Sequence, residues 1–193
     1  HAVSMERIRD EFLKIVSSKR TCQTLAQLEK YKILDVLIPE LIPMRTLAQG
    51  PYHHLDVWKH TMETSAQLDE ILEKAKKDPL LKAYLDEEVV YGRKRYELIK
   101  LAGLLHDIGK PKTLRIKKGK VTFHGHERVG AEMAQAIAAR LKLSNDENRA
   151  LRSMILAHLR PGFLSDAIPL TRRAKFRFFR DTASWAIAVL LIS

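Results

Sequence analysis

The stretch Leu104-Leu105-His106-Asp107-Ile108-Gly109-Lys110-Pro111 closes an apolar run with an imidazole and a carboxylate side by side. Leu98, Leu101, Ala102 and Leu105 fall on one side of a helix expected over 96–108, and His106 follows Ala102 by one turn. The pattern therefore places two polar groups where core is expected, and Gly109 and Pro111 stop the helix so that Lys110 can turn toward a cleft. A buried imidazole needs a hydrogen-bond partner, and a buried carboxylate is costly unless paired or metal-bound. This stretch decides whether the helices merely pack or also build a site.

Three other helices repeat the pattern. Val57, His60 and Thr64 share a face of a helix expected over 55–76, stopped by Asp78-Pro79. His126 opens a stripe with Val129, Met133 and Ile137 on a helix expected to 141. Leu151, Ile155 and His158 align on a helix that starts at a capping box, Ser144 with Glu147. Any one inward histidine is best read as a satisfied core residue. Four of them, one beside an aspartate, point to a shared divalent metal. Imidazole and carboxylate suit Mn, Fe, Ni, Zn or Mg without choosing among them, and Asp107 has the two oxygens needed to bridge a pair of ions. Two ions about 3.5–4 Å apart would activate water and neutralise a phosphoryl oxygen. The one cysteine, Cys22, leaves no thiolate cluster for a structural zinc site.

Around this centre the fold reads as all-α. Ser4 caps a first helix, a second is expected over 24–37 and closed by Pro39 and Pro43, and the Gly50-Pro51 pair marks a loop. That loop divides a helical neck, 1–50, from a main body, 51–193. Residues 113–116 and 120–123 flank Lys117-Lys118-Gly119-Lys120 as a small β-hairpin. Helical segments over 171–180 and 184–192 complete the chain, and the last ends apolar, so the chain is expected to continue beyond Ser193.

The net charge is +11. So basic a chain attracts polyanions such as RNA or nucleotide phosphates. Arg93, Lys94 and Arg95 precede one helix, the hairpin carries Arg115, Lys117, Lys118 and Lys120, and Arg173, Arg177 and Arg180 form a stripe. Phe176 and Phe179, beside that stripe, are expected in the core. No run approaches the roughly 18 apolar residues of a membrane span. The N-terminus lacks the pattern of a signal peptide, and a cytoplasmic location is expected.

The motifs His60 in Trp58-Lys59-His60-Thr61-Met62, His106-Asp107-Ile108-Gly109-Lys110, His126 in Phe123-His124-Gly125-His126-Glu127 and His158 in Ala157-His158-Leu159-Arg160-Pro161 resemble the HD-domain phosphohydrolase superfamily. The match is closer to the HD region of bacterial tRNA nucleotidyltransferases and poly(A) polymerase-like proteins. The resemblance implies an HD helical bundle with a β-hairpin insertion, and His60, His106, Asp107, His126 and His158 as ligands of one or two divalent ions. It implies hydrolysis of a phosphomonoester or a 2′,3′-cyclic phosphodiester, with Asp107 and Lys110 catalytic. Lys110, Arg160, His54, Arg173 and Arg177 would contact substrate, and His124 could also line the cleft. The polymerase head of that family, with its paired aspartates, has no counterpart in the sequence, so nucleotidyl transfer is not expected of this chain alone. The superfamily's last aspartate would be Asp181 or a residue after Ser193. A phosphohydrolase acting on small nucleotides without RNA, and a non-catalytic RNA-binding body, remain alternatives.

Overall fold

The computed structural model describes residues 3–47, 56–90, 92–166 and 169–193. His54 lies outside them. Ser4 caps α1 (Met5–Val16), its Oγ accepting from the Arg7 N–H at 3.4 Å. The single helix expected over 24–37 is instead two, α2 (Thr21–Lys30) and α3 (Ile33–Leu37). The break falls at Lys32, which takes a left-handed φ of 59°. The two prolines expected to close this region lie inside a 3₁₀ helix, Pro39–Thr46, which buries Leu41 and Met44.

Next comes α4 (Val57–Ala75), where Asp56 accepts from the Lys59 N–H at 2.7 Å. After α5 (Pro79–Asp86) comes a hairpin absent from the sequence reading, β1 (Glu88–Val90) with β2 (Arg93–Lys94). Its strands are too short and too charged to show alternation. It feeds α6 (Arg95–Leu105), whose residues from Leu98 onward are all buried. A helix enclosed on every side is the middle of a bundle, and α6 packs against α4 and against α9 (Asn145–Ala157). The expected end of α6 moves from Ile108 to Leu105. Ile108 N–H donates to Leu105 and Lys110 N–H to Asp107, so the chain continues in tight turns.

Pro111 starts a helix rather than stopping one. It sits in the first turn of α7 (Lys110–Thr113), where a missing N–H costs no hydrogen bond. Gly109 is required by close approach. A Cβ there would lie 2.2 Å from the carbonyl oxygen of His126 and 2.6 Å from the Gly130 nitrogen. The expected hairpin is β3 (Arg115–Lys117) paired with β4 (Lys120–Thr122), Ile116 opposite Val121. Lys118 and Gly119, at φ 50° and 74°, make its two-residue turn. Then follow α8 (His126–Arg140), which packs along α9, α10 (Arg160–Ser165), α11 (Arg172–Thr182), a 3₁₀ turn Ala183–Trp185 and α12 (Ala186–Leu191). The α9 capping box forms on Ser144 and Glu147 with bonds of 3.2 and 2.7 Å.

A buried polar knot joins α4 and α6 to the turn between α1 and α2. Lys100 of α6 reaches Oδ1 of Asp69 on α4 at 2.6 Å and donates to the Ser18 carbonyl at 2.5 Å. Asp69 in turn accepts from both the N–H and the hydroxyl of Thr21, each at 2.9 Å.

Candidate metal centre

The four histidines come together at the ends of helices. His60 lies in the first turn of α4, His106 and Asp107 just past α6, His126 at the start of α8 and His158 just past α9. Helix ends place a side chain firmly while leaving room in front of it. His106, Asp107, His126 and His158 are each buried, at 4%, 2%, 6% and 4% exposure, and His60 is half-buried at the rim.

Asp107 is the hub. Its Oδ2 is 3.2 Å from Nε2 of His106 and 3.6 Å from Nε2 of His60. Its Oδ1 is 3.2 Å from Nε2 of His126 and 3.8 Å from Nε2 of His158. Each oxygen thus serves one pair of imidazoles. The potential ligand atoms fall into two groups able to hold a metal, His60, His106 and Asp107, and Asp107, His126 and His158, each with its atoms within 4.8 Å of one another.

The backbone decides which ring nitrogen faces the centre. Nδ1 of His106 donates to the Gly103 carbonyl at 2.7 Å, Nδ1 of His126 to Phe123 at 2.9 Å and Nδ1 of His158 to Ile155 at 2.6 Å. Each partner lies three residues back. A carbonyl cannot donate, so each Nδ1 carries a proton and it is Nε2 that faces the centre; in the neutral form of each ring that Nε2 is the atom free to bind a cation. Burial and the neighbouring His106 ring push the His158 imidazole down to about 4. Burial would lower His106, but the Asp107 carboxylate beside it raises its pKa above the ordinary value. Burial would likewise raise Asp107, yet the rings of His106 and His126 and the Lys110 ammonium hold it well below the usual carboxylate range.

Lys110 Nζ sits 2.6 Å from Oδ2 of Asp107 and 5.6 Å from the centre of the Phe123 ring. Oδ2 takes no well-directed hydrogen bond despite complete burial. A buried carboxylate that faces two pairs of Nε2 atoms offers more ligand atoms than the Lys110 ammonium uses, an arrangement that a cation can take up. The donor set fits a divalent metal. A cleft of about 300 Å³ opens over His60, His106, Asp107, Lys110 and His158, with Leu191, Ile192 and Ser193 on its far side. Thr64 and Gln67 also line it. Their only sequence signal is helical spacing from His60, at i+4 and i+7.

Other candidates lie elsewhere. Arg160 turns away to α11, its Nη1 3.0 Å from Oδ2 of Asp181 and its guanidinium over the Phe178 ring at 5.7 Å. Asp181 is held by Arg160 and Arg180 beside a different depression and belongs to neither ligand group. Arg173 and Arg177 are exposed on α11. Phe176 and Phe179, expected in the core, are 66% and 58% exposed. The inward stripe of α11 is Ala174, Phe178 and Thr182, at i, i+4 and i+8, which leaves both other rings outside it. The Arg93-Lys94-Arg95 cluster also fails as an RNA surface. Arg93 pairs with Asp10 and Glu147 at 3.1 Å each, and Arg95 is buried between the Tyr84 and Trp185 rings with Glu87 at 2.5 Å.

A helical body whose segment ends send imidazoles onto one shared carboxylate defines a metal-binding helical domain. The HD domain family matches residues 57–181, and the chain belongs to it. Residues 1–44 match a second family, described as "Probable RNA and SrmB- binding site of polymerase A". The chain is 35% identical over 156 residues to an A-adding tRNA nucleotidyltransferase of Deinococcus radiodurans, covering 80% of this chain and 31% of that protein. It is 30% identical over 176 residues to a CC-adding tRNA nucleotidyltransferase of Thermus thermophilus, covering 90% and 35%. A bifunctional uridylyltransferase/uridylyl-removing enzyme of Ruegeria pomeroyi is 28% identical over 145 residues, covering 71% and 14%. The chain thus spans about a third of the length of the tRNA nucleotidyltransferases it matches. Among the described residues no helix is long and apolar enough to cross a membrane.

Proposed function

We propose that this chain is the HD module of a cytoplasmic tRNA nucleotidyltransferase-type protein, and that it hydrolyses a phosphomonoester or a 2′,3′-cyclic phosphodiester at an RNA end. In this reading residues 1–50 are the helical neck and 51–193 the hydrolytic domain. The observation that carries it is the division of Asp107, one oxygen to each pair of Nε2 atoms.

His60 and His106 hold one side of the centre and His126 and His158 the other, with Asp107 common to both. One or two divalent ions there would supply an activated water and positive charge for the phosphoryl oxygens. Lys110 lies at the cleft wall, within reach of Asp107 and able to bind a phosphate oxygen as a point charge. The walls of α4 and α12 shield one side of the cleft from bulk water, which strengthens these charge interactions.

The test is metal analysis after reconstitution with Mn, Ni or Zn, together with hydrolysis of a 2′,3′-cyclic nucleotide and of p-nitrophenyl phosphate. The expected result is bound metal and turnover in the native chain, with both lost in Asp107→Ala. Retention of turnover by that variant, or failure of the native chain to bind any divalent ion, would overturn the hydrolytic reading.

A further inference from the structure

A second depression adjoins the metal centre on the side away from α12. It has a volume of about 420 Å³, shares Lys110 and His126 with the centre, and runs along β4 to the exposed ring of Phe163 on α10. Phe123 and His124 also line it. Phe163 is 70% exposed, so its ring is open to contact at the end of this depression.

The depression itself is lined by one ammonium, Lys110, and one carboxylate, Glu127, and the excess of positive charge lies on the hairpin beside it. From Lys110 to Lys120 the sequence carries Lys110, Lys112, Arg115, Lys117, Lys118 and Lys120 and no acidic residue. Every residue of the hairpin strand β3 is exposed, and so are Lys118 and Lys120. Among the described residues, Arg115, Lys117, Lys118 and Lys120 make no ion pair, in contrast to the Arg93-Lys94-Arg95 cluster, which is absorbed by internal acids. Internal structure therefore does not account for these cations. A basic ribbon beside a depression with aromatic rings, which shares Lys110 and His126 with the candidate metal centre, matches the chemistry of a single-stranded nucleic acid: phosphates on the cations, a base against the rings.

We infer that the hairpin β3–β4 and the depression between Phe123, His124 and Phe163 form the subsite that receives the nucleotides next to the reacting phosphate of a single-stranded RNA end. The inference deepens the proposed function and rests on it for the place of the reacting phosphate. The backbone of the RNA runs over Arg115, Lys117 and Lys118, and a base stacks on Phe163. The second basic surface, α11 with Arg173 and Arg177, stands apart from the metal cleft and takes no part at this step.

The experiment measures anisotropy of a fluorescein-labelled single-stranded RNA of about six nucleotides with the full chain in EDTA, so that binding is read without hydrolysis. Phe163→Ala should weaken binding about tenfold, the loss of one stacked base. Lys117→Glu with Lys118→Glu should weaken it further and flatten its salt dependence. Hydrolysis of p-nitrophenyl phosphate, which has no base or chain, should be unchanged in both variants, and this unchanged turnover also shows that they fold. RNA binding unaffected by these changes, or lost instead on Arg173→Glu with Arg177→Glu, overturns the subsite even if the metal centre is active. Binding that depends on Phe163 in a chain without hydrolytic activity leaves the subsite standing and removes the proposed reaction.

Discussion

Lys110 Nζ lies 2.6 Å from Oδ2 of Asp107, the same oxygen that faces His60 and His106. One ammonium thus shares the side of the carboxylate that opens to the cleft, while Oδ1 is left to His126 and His158. This arrangement separates two roles. The imidazoles of His106, His126 and His158 are locked by backbone carbonyls, whereas Lys110 is on a flexible stem at the cleft wall.

From that separation, Lys110→Met should leave metal content intact and reduce kcat/KM for phosphoester hydrolysis by about 100-fold, the scale of losing one charge-stabilising donor. Metal analysis and steady-state kinetics on the same preparation check this. A parallel fall in metal content would place Lys110 in the support of the ligands rather than in contact with the substrate.

The acid limb of stability should carry the signature of His158. Its imidazole is held at about 4 in the folded state against an ordinary value near 6.5. Between these values the unfolded chain binds a proton that the folded chain refuses, so stability present above pH 6.5 declines as the pH falls toward 4. A shift of this size corresponds to about 3 kcal/mol. His106 works in the other window: its raised value adds stability that is complete below about 6.5 and is lost only as the pH rises through it. The slope from pH 6.5 down to about 5 therefore belongs mainly to His158, and below that the paired carboxylates, Glu40 and Asp107 among them, add to it. Urea unfolding in EDTA across this range should show the decline, and His158→Gln should flatten it.

Gly109 and Gly92 make a paired test of what a glycine does. A methyl at Gly109 meets backbone atoms of His126 and Gly130, which cannot yield without moving α8 and with it a ligand. Gly109→Ala should cost about 3 kcal/mol and disturb metal binding as well. At Gly92 nothing lies within 4 Å of an added Cβ, and only its φ of 73° opposes a side chain. Gly92→Ala should cost about 1 kcal/mol and leave metal binding alone. Thermal unfolding with and without added metal compares the two.

The inward-facing histidines were legible in the sequence because each lies in phase with an apolar helical stripe, and the capping box at Ser144 was legible because both partners are local. What escaped was set by distant partners. Arg93 and Arg95 look like solvent-facing cations until Asp10, Glu147 and Glu87 come beside them from other parts of the chain. Phe176 and Phe179 look like core until Phe178 takes the inward place on α11. Gly109 reads as a helix stop, yet its role is set by residues 17 and 21 positions later, His126 and Gly130. Chain-local periodicity carries no information about which residue arrives from elsewhere.

The knot of Lys100, Asp69 and Thr21 ties α2 to α4 and α6. Lys100 is 7% exposed, its charge met by Asp69 at 2.6 Å and by the carbonyl of Ser18 at 2.5 Å. Removing one partner of a buried pair leaves the other uncompensated, so Lys100→Met should destabilise by about 3–5 kcal/mol. Asp69 keeps its two bonds from Thr21, which soften the loss. Replacing both, Lys100→Met with Asp69→Leu, removes the unpaired charge and should recover part of the stability, while the Thr21 N–H loses its acceptor and α2 loosens at its first turn. Hydrogen exchange at the α2 amides, measured beside chemical unfolding, should then show faster exchange in the double variant than its global stability requires. Equal protection at α2 and α6 in that variant would mean that apolar contacts, not this knot, hold α2 in place.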